Sequence, residues 1–210
     1  MALPQTTQRV TGTEYLALER AATGGKSEFF DGEMFAMSGG TRWHSLIGTN
    51  VTVEFANKLR RQRCQPFNSE LRIKVDETGL YTYPDLSVVC GEPLFVDDTM
   101  DTLTNPTLIV EVLSDSTEGY DRGRKFEHYR QIPTLQEYLL VSQYEPHIEQ
   151  FIRQPNHEWI LREAMGMKAT LALPSLGITI SLGITISLAE IFEGVDFSPD
   201  RPQNPPRRRP

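Results

Sequence analysis

The sequence predicts an α/β fold, a mixed β-sheet flanked by helices, and three observations carry that expectation. Two near-continuous apolar runs, Leu86–Cys90 and Leu108–Leu113, read as central strands covered on both faces. Between residues 41 and 61, Ile47, Val51, Phe55 and Leu59 recur four apart, the spacing of one helix face. Strand-like and helix-like segments then follow one another in the order a mixed sheet with flanking helices needs.

Taken in order, Thr13–Ala22 reads as a short helix capped by Thr13. Glu28–Met37 alternates around Asp31-Gly32, a dipeptide suited to a tight type I′ hairpin turn. The helix over residues 41–61 ends in Arg60, Arg61 and Arg63, which suit the negative end of its dipole. Leu71–Val75 alternates as a strand, ahead of the two central runs. Residues 118–131 then read as a helix, stopped by Pro133. Leu135–Val141 is another strand, and residues 148–153 and 158–163 form a hairpin. Near the end SLGITI occurs twice in tandem, over 175–180 and 181–186. Six is even, so the copy preserves strand phase and keeps Leu176 to Leu188 on one apolar face.

With 210 residues the chain is long enough for one domain with a real core, expected over residues 1–194. Residues 195–210 hold five of the 14 prolines and four arginines, with almost nothing apolar, and are expected to be a disordered tail. The two cysteines, Cys64 and Cys90, fit no CxxC or Cys/His cluster, which excludes a zinc ribbon or a disulfide scaffold and suits a reducing cytosol. No signal peptide is visible and no apolar run approaches the about 20 residues of a membrane span. A cytoplasmic protein without a membrane partner is expected. The net charge of −7 argues against coating nucleic acid through bulk positive potential, but not against an enzyme whose metal site needs carboxylates.

The chemistry-bearing residues are acidic. Asp85 stands just before one central run and Glu111 inside the other. A carboxylate within a buried strand is costly unless it is paired, hydrogen-bonded or metal-bound. Two on neighbouring strands can share a hard cation such as Mg²⁺; alternatively Glu111 pairs with an arginine and Asp85 caps a turn. Downstream, Asp121, Lys125 and Tyr129 fall at i, i+4 and i+8 on one helix face. Lys125 is then either a surface partner of Asp121 or a cation aimed back at the carboxylates. There is no Walker loop, Rossmann glycine pattern or Ser-His-Asp arrangement to support other chemistries.

At these residues the chain resembles the Uma2 family of the PD-(D/E)xK nuclease superfamily. Pro84-Asp85, Glu111-Val112-Leu113-Ser114, the helix with Asp121 and Lys125, and Glu137–Val141 carry the likeness, together with the hairpin from Glu28 to Glu33, His44 and Ser69-Glu70-Leu71-Arg72. The resemblance spans about residues 14–192. It implies a restriction-endonuclease-like core and Mg²⁺-dependent hydrolysis of phosphodiester bonds, with Mn²⁺ as the alternative ion and DNA as the expected substrate. Asp85 and Glu111 would bind the metal and Lys125 would face the phosphoryl group, with Glu33, Glu70, His44 and Asp121 as auxiliary candidates. The superfamily's lysine stands two residues after the second carboxylate; here Leu113 fills that place, and the resemblance moves the role to Lys125. Enzymes that cut both strands of a duplex commonly present two sites, so a homodimer is expected, with the Leu176–Leu188 face as its surface. The competing reading is a catalytically inactive nucleic-acid- or protein-binding module on the same fold.

Overall fold

The computed structural model describes residues 9–176 and 184–198. Helix α1 (Gly12–Ala21) is followed by the hairpin β1 (Ser27–Phe30) and β2 (Glu33–Ala36), then by α2 (Arg42–Leu59). Next come β3 (Cys64–Asn68), β4 (Arg72–Val75), β5 (Leu80–Thr82), β6 (Leu86–Cys90), β7 (Thr102–Leu103) and β8 (Leu108–Val112). A helical run follows: α3 (Glu118–Tyr120), a π-helical turn (Asp121–Lys125) and α4 (Phe126–Tyr129). The chain continues through β9 (Glu137–Val141), β10 (His147–Arg153), β11 (Trp159–Met165) and β12 (Thr170–Leu173). It ends with β13 (Ile184–Ser187) and α5 (Leu188–Ile191).

The strands form two main sheets, ordered β2-β1-β5-β4-β7 and β11-β10-β9-β8-β6-β3, with β12 and β13 paired apart. The expected mixed sheet is the larger one. Within it β8 and β9 run parallel and every other pair is antiparallel. Parallel neighbours need a crossover, and the helical run supplies it. That crossover is what lays Lys125 against the strands.

Local chemistry explains most boundaries. Asp31 and Gly32 both adopt positive φ, 48° and 83°, as the I′ turn requires. Helix α1 is capped by Thr11 rather than Thr13: its hydroxyl accepts from Glu14 N while the Glu14 carboxylate accepts from Thr11 N. This capping box needs the acid three residues after the cap, which fixes Thr11. Thr41 caps α2, and Ile47, Val51, Phe55 and Leu59 bury its expected stripe against β6, β8 and β9. A second core lies on the other face of the larger sheet, around Ile109, Tyr129, Tyr138 and Leu140.

Three expectations change here. Cys64 and Cys90 stand opposite each other on β3 and β6 and are joined by a disulfide. One cross-strand bridge is not a stapled scaffold, but cysteine usage no longer supports a reducing compartment. Leu176, Ile186 and Leu188, offered as part of a dimer face, are buried in the chain's own core; residues 177–183, most of the SLGITI duplication, lie outside the described residues. Val195 and Phe197 pack on that core too, the latter edge-on to Phe192, so the ordered chain runs past residue 195. The rest of the expected tail, from 199 onward, is outside the described residues. No described helix is long and apolar enough to cross a membrane.

Candidate functional site

Strand register brings the first two carboxylates together. Leu86 pairs with Val110 in the antiparallel β6–β8 ladder, so one step further Asp85 comes level with Glu111. Asp85 Oδ2 accepts a hydrogen bond of 2.7 Å from Val112 N, and so caps the end of the β8 ladder rather than a turn after Pro84. The same oxygen lies 3.4 Å from His44 Nε2, in the first turn of α2. Burial alone would lower the His44 pKa, but the Asp85 carboxylate overrides it and leaves the imidazole raised.

Lys125 is not a surface residue. It is 5% exposed and its ammonium lies 2.8 Å from Glu111 Oε1, 3.4 Å from Glu28 Oε1 and 3.5 Å from Asp121 Oδ1. The reading of an exposed Asp121–Lys125 pair is thereby excluded, as is an arginine partner for Glu111. Tyr129 OH donates to Glu111 Oε1 at 2.7 Å, and Tyr138 OH donates to the Asp121 carbonyl at 3.0 Å, pinning the π turn. Such turns widen a helix by one residue and recur at functional sites. Here the turn carries both Asp121 and Lys125.

The cluster is unbalanced in charge. Burial, reinforced by Asp121 and Asp85 against the opposing pull of Lys125, pushes the Glu111 carboxyl up to about 8. Burial raises Asp121 as well, against the opposing pull of Lys125, whose ammonium lies 3.5 Å from its buried Oδ1. Burial by itself would depress Lys125, yet Glu111, Glu28 and Asp121 hold it well above the ordinary lysine value. The ammonium therefore stays charged.

A cavity of about 230 Å³ is lined by Glu28, His44, Asp85, Glu111, Asp121 and Lys125. It shares His44, Asp85 and Tyr83 with a wider groove of about 880 Å³. Of the auxiliary candidates, His44 and Asp121 are thus brought to the site. Glu70 borders only the wider groove, where its exposed carboxylate pairs with Lys26 at 2.7 Å. Glu33 sits exposed on β2 and lines neither cavity. Glu28, which sequence reasoning passed over, takes the place near the lysine and accepts a hydrogen bond from the Thr82 hydroxyl. Its signal was the period of two: Glu28 shares a strand face with Phe30, whose ring meets His128 on α4. Among the described residues no group of three or more His, Cys, Asp or Glu side chains is arranged to hold a metal ion.

The family profile named Uma2 and described as "Putative restriction endonuclease" matches residues 13–186. Two uncharacterized proteins of Synechocystis sp. are similar in sequence. One, sll1609, is 37% identical over 81% of this chain and 96% of its own length; the other, slr1290, is 36% identical over 90% and 94%. Among solved structures, a DUF820 protein of Anabaena variabilis, described as a "putative nuclease", superposes with a TM-score of 0.68. It is 20% identical and the match covers 87% of this chain and 97% of that one, a likeness that establishes the fold.

Proposed function

The chain belongs to the Uma2 family, and from that premise we propose that it is a divalent-metal-dependent nuclease hydrolysing phosphodiester bonds, with DNA as the substrate. The observation that supports this most is the charge count in the cavity. One buried ammonium faces Glu111, Glu28 and Asp121, with Asp85 beside them, and the two most buried carboxyls are held up in pKa. Such a set is completed by a further cation.

The donors fit a hard ion. All are carboxylate oxygens, the type that Mg²⁺ and Mn²⁺ favour, and Mg²⁺ keeps several waters rather than filling a closed protein cage. Asp85, oriented through Oδ2, and Glu111, oriented through Oε1, are the residues that would hold the ion. A bound Mg²⁺ supplies Lewis acidity and a water of lowered pKa. The chain's own residues do the rest. Tyr129 orients Glu111, His44 and Val112 N orient Asp85, and Lys125 neutralises charge developing on the phosphoryl oxygens. Low solvent access around Lys125 strengthens that interaction.

The binding-module reading has one observation in its favour: the Lys125–Glu111 pair at 2.8 Å also satisfies itself. Cleavage of DNA and RNA, each single-stranded and duplex, in Mg²⁺, in Mn²⁺ and in EDTA separates the two. The nuclease reading expects metal-supported cleavage that falls below detection in Asp85→Ala while the circular dichroism spectrum is kept. Cleavage undiminished in Asp85→Ala removes the site assignment, and no cleavage of any substrate favours the binding module. A two-fold dimer and a cytoplasmic location belong to the same proposal; the dimer surface would have to lie away from Leu176, Ile186 and Leu188, which the core consumes.

A further inference from the structure

Phe35 is 48% exposed on the edge strand β2, every residue of which is exposed, and it belongs to none of the three core clusters. Its position is nevertheless specified. In the β1–β2 hairpin Phe35 stands directly opposite Glu28. Residues so paired project from the same face with Cβ atoms about 5 Å apart. Glu28 reaches Lys125 on that face, so the Phe35 ring stands beside the catalytic cavity, which it lines together with Met37, itself 38% exposed. An aromatic ring without a core role, one side chain away from the proposed phosphate site, is placed where a nucleobase adjoining that phosphate would lie.

The surrounding charge points the same way. Among the described residues, the only lysines or arginines lining the two cavities are Lys26, already paired with Glu70, and the buried Lys125. A duplex lying in the groove would bring two phosphate ridges to a wall with no free cationic track, and phosphate neutralisation is the main source of duplex affinity. Single strands offer another source, because every unpaired base has a face that can stack on an aromatic ring.

We infer that Phe35 is a base-stacking residue and that the site takes an unpaired, single-stranded segment of nucleic acid, with the base next to the scissile phosphate against the Phe35 ring. This rests on the nuclease reading for the identity of the ligand, and it narrows that reading from nucleic acid in general to unpaired strands. Its test is binding rather than cleavage. Fluorescence anisotropy of labelled oligonucleotides in Ca²⁺ buffer should show tighter binding of the single strand than of the matching duplex. Phe35→Ala should weaken single-strand binding about tenfold or more, with little change for duplex. Phe35→Trp should restore it, and the added indole should lose fluorescence on binding relative to wild type, a signal that a purely structural role would not produce. Equal losses on both forms, no loss, or an unquenched Phe35→Trp would overturn the inference. So would a fall in the mass measured by light scattering for Phe35→Ala, which would make β2 the contact with a second copy. Hydrolysis of bis(p-nitrophenyl) phosphate by the wild-type protein in Mn²⁺ reads the catalytic proposal separately, so the failure of either is distinguishable.

Discussion

Among the described residues two cations are buried, and they are buried in opposite ways. Arg72, 3% exposed, donates to the Thr102 hydroxyl at 2.9 Å and to Tyr83 OH at 2.7 Å, pairs with Asp101 at 3.1 Å and lies over the rings of Tyr15 and Tyr83. Arg20 completes that region by clasping Asp101 and Asp97, so two arginines meet two aspartates. Hydrogen bonding from Arg20, with Thr102 and Arg72 adding to it, holds Asp101 well below the usual carboxylate range. Around Lys125 the balance is reversed. One ammonium faces three carboxylates, and burial drives the pKa values of Glu111 and Asp121 up instead of down. The first cluster is complete as it stands and ties α1 to β4 and β7. The second has more carboxylates than cations beside an open cavity, an imbalance that the proposed metal ion would relieve.

The comparison can be broken most forcefully at Arg72. Arg72→Ala leaves the buried Thr102 and Tyr83 hydroxyls without their donor, while Asp101 keeps Arg20, and should cost about 1–3 kcal/mol for each hydroxyl left unsatisfied, whether or not metal is present. Chemical denaturation with and without Mg²⁺ checks this, and a metal-dependent loss would erase the distinction between the clusters. At Lys125 the larger consequence should be catalytic. Lys125→Ala is expected to lower turnover by about 10²-fold or more while Mg²⁺ still binds in calorimetry, since lysine is not a ligand. Lys125→Arg should recover little of it, because a planar guanidinium does not reproduce a compact ammonium within a 230 Å³ cavity. Full turnover in Lys125→Ala would return the residue to a structural role.

The smallest effect is the pH dependence of the metal-free protein. Folding raises the Glu111 pKa from its ordinary 4.5 to about 8, so across that window the folded state holds a proton the unfolded chain has released. The contribution is fully present below 4.5 and is lost as pH rises through 8, with a slope of at most about 1.4 kcal/mol per pH unit. Glu111→Gln cannot titrate, so the stability of wild type relative to this variant should fall with rising pH in EDTA. Mg²⁺ should flatten that difference by stabilising the ionised carboxylate. A pH-independent difference in EDTA would mean that the carboxyl is not held up by burial.

Much of the fold was legible because its signals are local. The I′ turn at Asp31-Gly32, the apolar runs of β6 and β8, and the α2 stripe are each read within a few residues. The same locality made Asp85, Glu111 and the Asp121–Lys125–Tyr129 face visible, since strand interiors and i+4 spacing are short-range patterns. The Thr11 cap was missed by two residues because the hydroxyl nearest the expected start was chosen over the one that has Glu14 three positions on. Glu28 and Phe35 were passed over for a deeper reason. Alternation along β1 and β2 tells which residues share a face, but not what that face meets.

The sequence by itself determined the main helices and the central strands but not the short strands β3, β5, β7 and β12. It also determined the two carboxylates in or beside central strands and the helix face that carries Lys125. Tertiary structure decided everything that depends on what packs opposite. It chose a buried cluster over a surface pair for Lys125, brought Glu28 rather than Glu33 or Glu70 to the ammonium, and joined Cys64 to Cys90 across β3 and β6. It also turned Leu176, Ile186 and Leu188 inward. The physical reason is common to all of these. Periodicity fixes the direction of a side chain relative to its own backbone, whereas pairing, charge balance and burial are set by strand register and by the crossover that lays the helical run over β8 and β9, contacts between residues far apart in the chain.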